Sequence, residues 1–157
     1  KEKEDSDDSA YENEIVVTAS RTKESQALWA EALKLIVAAN RSDSEDPLPL
    51  YLYYEYLKRR GETISETATD GLAKAHVVIP QYQPLRLRLA EEYSDQGENA
   101  AAAAVIKPAA FSPHGGAQRR TAQALLKRYE CLAATPGEPC EFKPMTAEEE
   151  KKAAEED

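Results

Sequence analysis

Cysteine is scarce in this chain, with two in 157 residues. That excludes a small fold stapled by many disulfides. Methionine and tryptophan occur once each, and phenylalanine twice. No apolar run approaches the roughly 20 residues of a membrane-spanning helix. Histidine occurs twice, as His76 and His114. Two are too few for a zinc site without further convergent ligands. No HExxH, Walker or dinucleotide fingerprint is present, so neither metallopeptidase nor nucleotide chemistry has a motif to stand on. No cofactor is expected.

Acidic residues, by contrast, are in excess. Asp and Glu number 29 against 20 Lys and Arg, for a net charge of −9. The excess sits at the ends. Residues 1–14 hold seven acids and two lysines, and residues 145–157 hold six acids and two lysines. The remaining segment carries 16 acids and 16 bases. A neutral body without a basic stripe excludes a general nucleic-acid binder. Both ends lack apolar residues to bury and are expected to be disordered. Thr146 could cap a short helix after it, but nothing is evident to pack that helix down. The chain starts at Lys1 and its sole methionine is Met145, which predicts a processed or excised product.

The organisation follows from periodicity. Residues 1–24 read as an acidic arm with one strand candidate, EIVVTAS at 14–20, rich in β-branched residues. Residues 25–132 read as a helical domain. Helix one, about 25–40, carries Trp29, Leu33, Ile36 and Val37 at helical spacing. Helix two starts at Asp46 and Pro47, a good N-cap followed by a proline suited to the first turn. Lys58, Arg59 and Arg60 complement its C-terminal dipole, and Gly61 stops it. Helix three spans about 65–78. Helix four, about 84–96, contains LRLRL, which alternates like a strand. Leu85, Leu89 and Tyr93 recur at helical spacing, and Gly97 ends the segment. Helix five starts near Asn99 and should end near Lys107 or kink before Phe111, because Pro108 intervenes. Helix six covers about 117–132. Residues 133–157 read as an irregular segment and acidic tail.

Landmarks repeat along this domain. Gly61 and Gly97 lie 36 apart, Ala75 and Ala109 lie 34 apart, and Pro80 and Pro113 lie 33 apart. Two helices per unit with a period in the mid-thirties points to stacked helical hairpins. In this respect LAEEYSDQGENAAAAAVIKPAAFSP resembles a tetratricopeptide repeat, with Leu89, Ala90, Tyr93, Gly97, Ala102, Ile106 and Ala109 at the packing positions. The earlier unit matches at Leu57, Gly61, Ala68, Leu72, Ala75 and Pro80, with about two extra residues after Gly61. The resemblance implies an all-α, tetratricopeptide-like α-solenoid of about six helices. It implies a groove lined by Tyr51, Glu55, Lys58 and Arg59 from one unit. Leu87, Glu91, Ser94 and Asp95 line it from the next. A groove of this kind holds a protein or peptide partner. The chain also resembles the C-terminal repeat region of bacterial exported proteins whose upstream part is metallopeptidase-like. That likeness implies a non-catalytic tail packing on a missing upstream domain, and a periplasmic or exported location over a cytoplasmic one.

The remaining chemistry is sparse. Cys131 and Cys140 are placed to close a small loop in an oxidising compartment, or else remain two thiols. His76 reads as a packed helix residue, and His114 as part of a turn. Glu91–Glu92 could suggest acid/base work, but charge runs are usually solvated surface. No catalytic residue and no metal ligand is expected. The expected function is therefore a scaffold or interaction module, with the structural tail as the alternative.

Overall fold

A computed structural model describes residues 8–113 and 116–155, without the side chains of residues 1–21, 150 and 153–157. His114 lies outside the described residues. Among them, every regular element is an α-helix: α1 (Asp8–Ser42), α2 (Pro47–Arg60), α3 (Glu66–Val78), α4 (Gln83–Asp95), α5 (Asn99–Ala110), α6 (Gly116–Ala134) and α7 (Ala147–Glu155). Each of α1 to α6 packs chiefly on its neighbours in sequence.

Local chemistry explains most of the boundaries. The Asp46 carboxylate accepts the Leu48 amide and opens α2, with Pro47 in its first turn. Ser65 caps α3 by accepting from the Ala68 amide. Gly61 ends α2 in the left-handed region, at φ 66°. Its amide donates to the Lys58 carbonyl and the next amide, Glu62, to Leu57. Gly97 follows α4 at φ 82° with the same pair of bonds, Gly97 to Ser94 and Glu98 to Tyr93. Two identical Schellman turns thus lie 36 residues apart. Each lies between the two helices of a hairpin, α2–α3 and α4–α5, and the hairpins are of similar size.

The core is built from three adjoining clusters. Tyr56, Leu57 and Ala68 bury Trp29, Leu33 and Ile36 of α1 against α2 and α3. Tyr54, Leu72, Ala75, Leu85 and Leu89 fill the centre. Ala90, Ala102, Ile106, Ala109, Ala122, Leu126 and Tyr129 join α4, α5 and α6. Small alanines on α5 and α6 let these helices approach closely, which makes this the most tightly joined part of the molecule.

Three expectations change. The strand expected over residues 14–20 is helical, because α1 begins at Asp8 and takes in most of the acidic arm. No second strand exists among the described residues to pair with it, and helix propagation from the packed half of α1 costs less than a lone strand. α5 does not end at Lys107; it runs through Pro108 to Ala110 and stops before Phe111. Pro108 removes one amide donor from the last turn, and the helix continues for two residues past it. The tail expected to be disordered carries α7, opened by a reciprocal capping box at Thr146. The Thr146 amide donates to Glu149, and the Glu149 amide to the Thr146 hydroxyl. These bonds to Glu149 lower its carboxyl below the usual range.

A strap follows α6. Cys131 and Cys140 form a disulfide across a separation of nine residues. Beyond it, Phe142, Lys143 and Met145 lie along the α6 face formed by Arg120, Gln123, Ala124 and Lys127. Ala124 is buried there, although it faces away from the cluster that Leu126 joins.

Candidate functional site

The residues singled out from the sequence meet on one face of α2 and α4. On α2, Tyr51, Glu55, Lys58 and Arg59 follow helical spacing and so share a side. On α4, Leu87, Glu91 and Asp95 do the same. The structure sets these two stripes against each other and links them by charge. Glu55 is buried and accepts from Arg88 Nε at 2.5 Å and from Arg59 Nε at 3.3 Å. Arg88 also reaches Glu91 at 2.8 Å. Lys58 sits 3.0 Å from Asp95 and 3.9 Å from Glu91. Three cations and three carboxylates therefore alternate along one continuous chain from Arg59 to Asp95. Their charges cancel.

Behind this layer runs a second link. The Tyr54 hydroxyl donates to the buried Glu92 carboxylate at 2.5 Å. Gln96 donates to the other Glu92 oxygen at 2.9 Å. Burial first, and then this bond to Glu92, pushes the Tyr54 phenol well above its ordinary range. Tyr51 is pushed up by burial and then by Glu55, and its ring meets Tyr82 edge-on at 5.6 Å. Burial pulls Lys58 down, but the Asp95 bond and the Glu91 charge outweigh it and hold its ammonium above the normal range. Arg88 is held higher still by its bond to Glu55.

The six groove residues expected from the sequence do not have equal roles. Arg59 is exposed, and Tyr51, Lys58 and Glu91 are half-buried. These four form the accessible surface. Glu55 is buried and acts as the anchor of the ion-pair chain. Leu87 is half-buried against the α4–α5–α6 cluster and serves packing. Arg88 joins them unforeseen. In a helical register it lies three residues before Glu91 and faces α2, a direction hidden while LRLRL reads equally as a strand.

Arg86, two residues earlier, points inward. It is buried and donates to the Val105 carbonyl at 3.0 Å and to the Pro80 carbonyl. It ties the exit of α3 to α5, and carbonyls near helix C-termini supply the negative end of a dipole to meet it. Desolvation lowers its guanidinium. His76 is half-buried nearby; desolvation and then the Arg86 charge lower its imidazole. No group of three or more His, Cys, Asp or Glu among the described residues is placed to hold a metal ion.

Two hollows lie elsewhere. One, of about 570 Å³, is bounded by Gly97, Glu98, Asn99, Ala100 and Ala101, by Leu132 and Ala133 at the end of α6, and by Pro136 and Gly137 in the disulfide loop. It is open to solvent. The other, of about 270 Å³, lies among Ile36, Val37, Leu50 and Tyr53 where α1 meets α2. No helix among the described residues is long and apolar enough to cross a membrane. No protein-family model, curated protein or solved structure matches the chain.

Proposed function

We propose that this chain is a non-catalytic, tetratricopeptide-like helical scaffold that holds an extended peptide or a neighbouring domain along the α2–α4 face. The carrying observation is the convergence of Tyr51, Lys58, Arg59 and Glu91 on one accessible surface whose charges alternate in sign. Two hairpins of similar size, each turning on the same Schellman pattern, support the repeat reading. The neutral face suits a segment carrying both charges, since an acidic or basic run would repel half of it. The disulfide suits an exported chain in an oxidising compartment.

The test uses an array of synthetic peptides of mixed charge, with binding followed by fluorescence anisotropy. Tyr51→Ala combined with Arg59→Ala should weaken the best peptide by roughly tenfold or more, while helical content and melting temperature stay close to the parent's. A loss of binding matched by an equal loss of stability contradicts the reading. So does an array with no binder.

A further inference from the structure

The side of α2 that meets solvent changes character along its length. Leu48, Leu52 and Arg59 are spaced i, i+4 and i+11, so they share one side of the helix. The other sides are taken. Tyr56 meets Trp29 of α1, Leu50 meets Gly71 of α3, and Glu55 meets Arg88 of α4. Leu48 is 47% exposed and Leu52 46%.

The start of α2 is the apolar end. Leu48 is three residues from Tyr51, whose ring meets Tyr82 at the start of α4. Tyr82 is also exposed. The two helices run parallel, because Tyr51 pairs with Tyr82, Glu55 with Arg88 and Lys58 with Asp95 in rising order. The two leucines and the tyrosine pair therefore lie at one end of the face and the ion pairs at the other. At the charged end of α2 the exposed member is a cation. The Glu55 side chain is 8% exposed and that of Arg59 66%. The bond to Glu55 takes Arg59 Nε, and a guanidinium has four further N–H donors for a second carboxylate.

The two ends are spaced for an extended chain. The midpoint between Leu48 and Leu52 lies nine residues before Arg59, about 13 Å along the helix. Four residues of extended backbone also cover about 13 Å, and residues i and i+4 point to the same side. A separation of three or five turns the second side chain away.

We infer that the α2–α4 face selects an extended segment in which a leucine-sized apolar residue and an acidic residue stand four positions apart. The apolar side chain rests on Leu48, Leu52 and the Tyr51–Tyr82 pair. The carboxylate meets Arg59. The inference rests on the peptide reading above and gives that face its selectivity.

The test uses fluorescein-labelled nine-residue peptides and fluorescence anisotropy on the full chain. Each peptide carries one leucine and one glutamate, in either order and two to six positions apart, on a serine and asparagine background with one terminal lysine. In one of the two orders, the separation of four should bind roughly tenfold tighter than three or five. Alanine in place of that leucine should weaken binding by a similar factor. Leu52→Lys in the protein should reverse the preference at that position, so that glutamate there binds better than leucine. A new preference of that kind cannot come from unfolding. Arg59→Ala should abolish the preference for the acid at the fourth position. Binding that ignores both the leucine and the spacing overturns the inference and leaves the scaffold reading in place. Binding by no peptide overturns both.

Discussion

The first and last of the packed helices meet solvent in different ways. α6 has its inner side in the α4–α5–α6 cluster and its outer side under the 140–145 strap. Its apolar residues are used on both faces, and Leu126 and Ala124 are each nearly out of contact with water. α1 uses one face only. Trp29, Leu33 and Ile36 are committed to α2, while Leu28 and Leu35 stand in solvent. Helices in a row bury both flanks only where something follows, so a terminal helix needs a polar outer face, a cover or a partner. The C-terminal end has a cover made from its own chain. The N-terminal end has none among the described residues.

The largest expected effect separates the two ends through one substitution type. Leu126→Ala should cost about 2–5 kcal/mol in urea unfolding, because a buried side chain leaves a cavity in the alanine-rich cluster. Leu28→Ala should change the stability of the isolated monomer by less than about 0.5 kcal/mol. Removing the cover comes next. Cys131→Ser with Cys140→Ser should cost about 2–3 kcal/mol by freeing a short loop. It should also make peptides over 120–127 exchange hydrogen faster, with no change over 27–39.

A smaller effect lies between the ends. Tyr54→Phe leaves the buried Glu92 carboxylate without its hydroxyl donor and should cost about 1–3 kcal/mol at neutral pH. The same residue gives a pH test. Tyr51, Tyr54 and Tyr129 all have phenols raised in the folded state, chiefly by burial. The unfolded chain then loses these protons first as pH rises above about 10, so stability is full below that pH and falls above it. Urea midpoints taken from about pH 9 to 11 should fall more steeply for the parent than for Tyr54→Phe. Equal slopes contradict the assignment. The smallest effect is on the acid side. The lowered His76 imidazole makes stability full above about pH 6.5 and lost as pH falls below it, and His76→Gln should flatten that limb.

Helix starts and stops were largely legible in the sequence because they rest on local chemistry. Asp46 with Pro47, Ser65, Gly61 and Gly97 each act within a few residues, and the structure places a boundary at each. The face shared by Tyr51, Glu55, Lys58 and Arg59 was reached through the tetratricopeptide resemblance, with which their helical spacing agrees. What lay beyond reading depends on partners distant in sequence. Whether Glu55 is a surface acid or a buried anchor is decided by Arg88, 33 residues away. Tyr54 and Glu92 are 38 apart, and nothing near either residue announces the bond. The β-branched run at 14–20 misleads because strand preference needs a neighbouring strand to be realised. Pro108 misleads more mildly, because one lost amide donor does not stop a helix whose neighbouring Ile106, Ala109 and Ala110 are held in the core.

Hydrogen exchange followed by mass spectrometry tests the contrast between the ends most directly. Peptides covering 116–134 of α6 should exchange more slowly than peptides covering 27–39 of α1, because α6 is covered on both sides and α1 on one. Equal protection of the two helices, or slower exchange on α1, would contradict it.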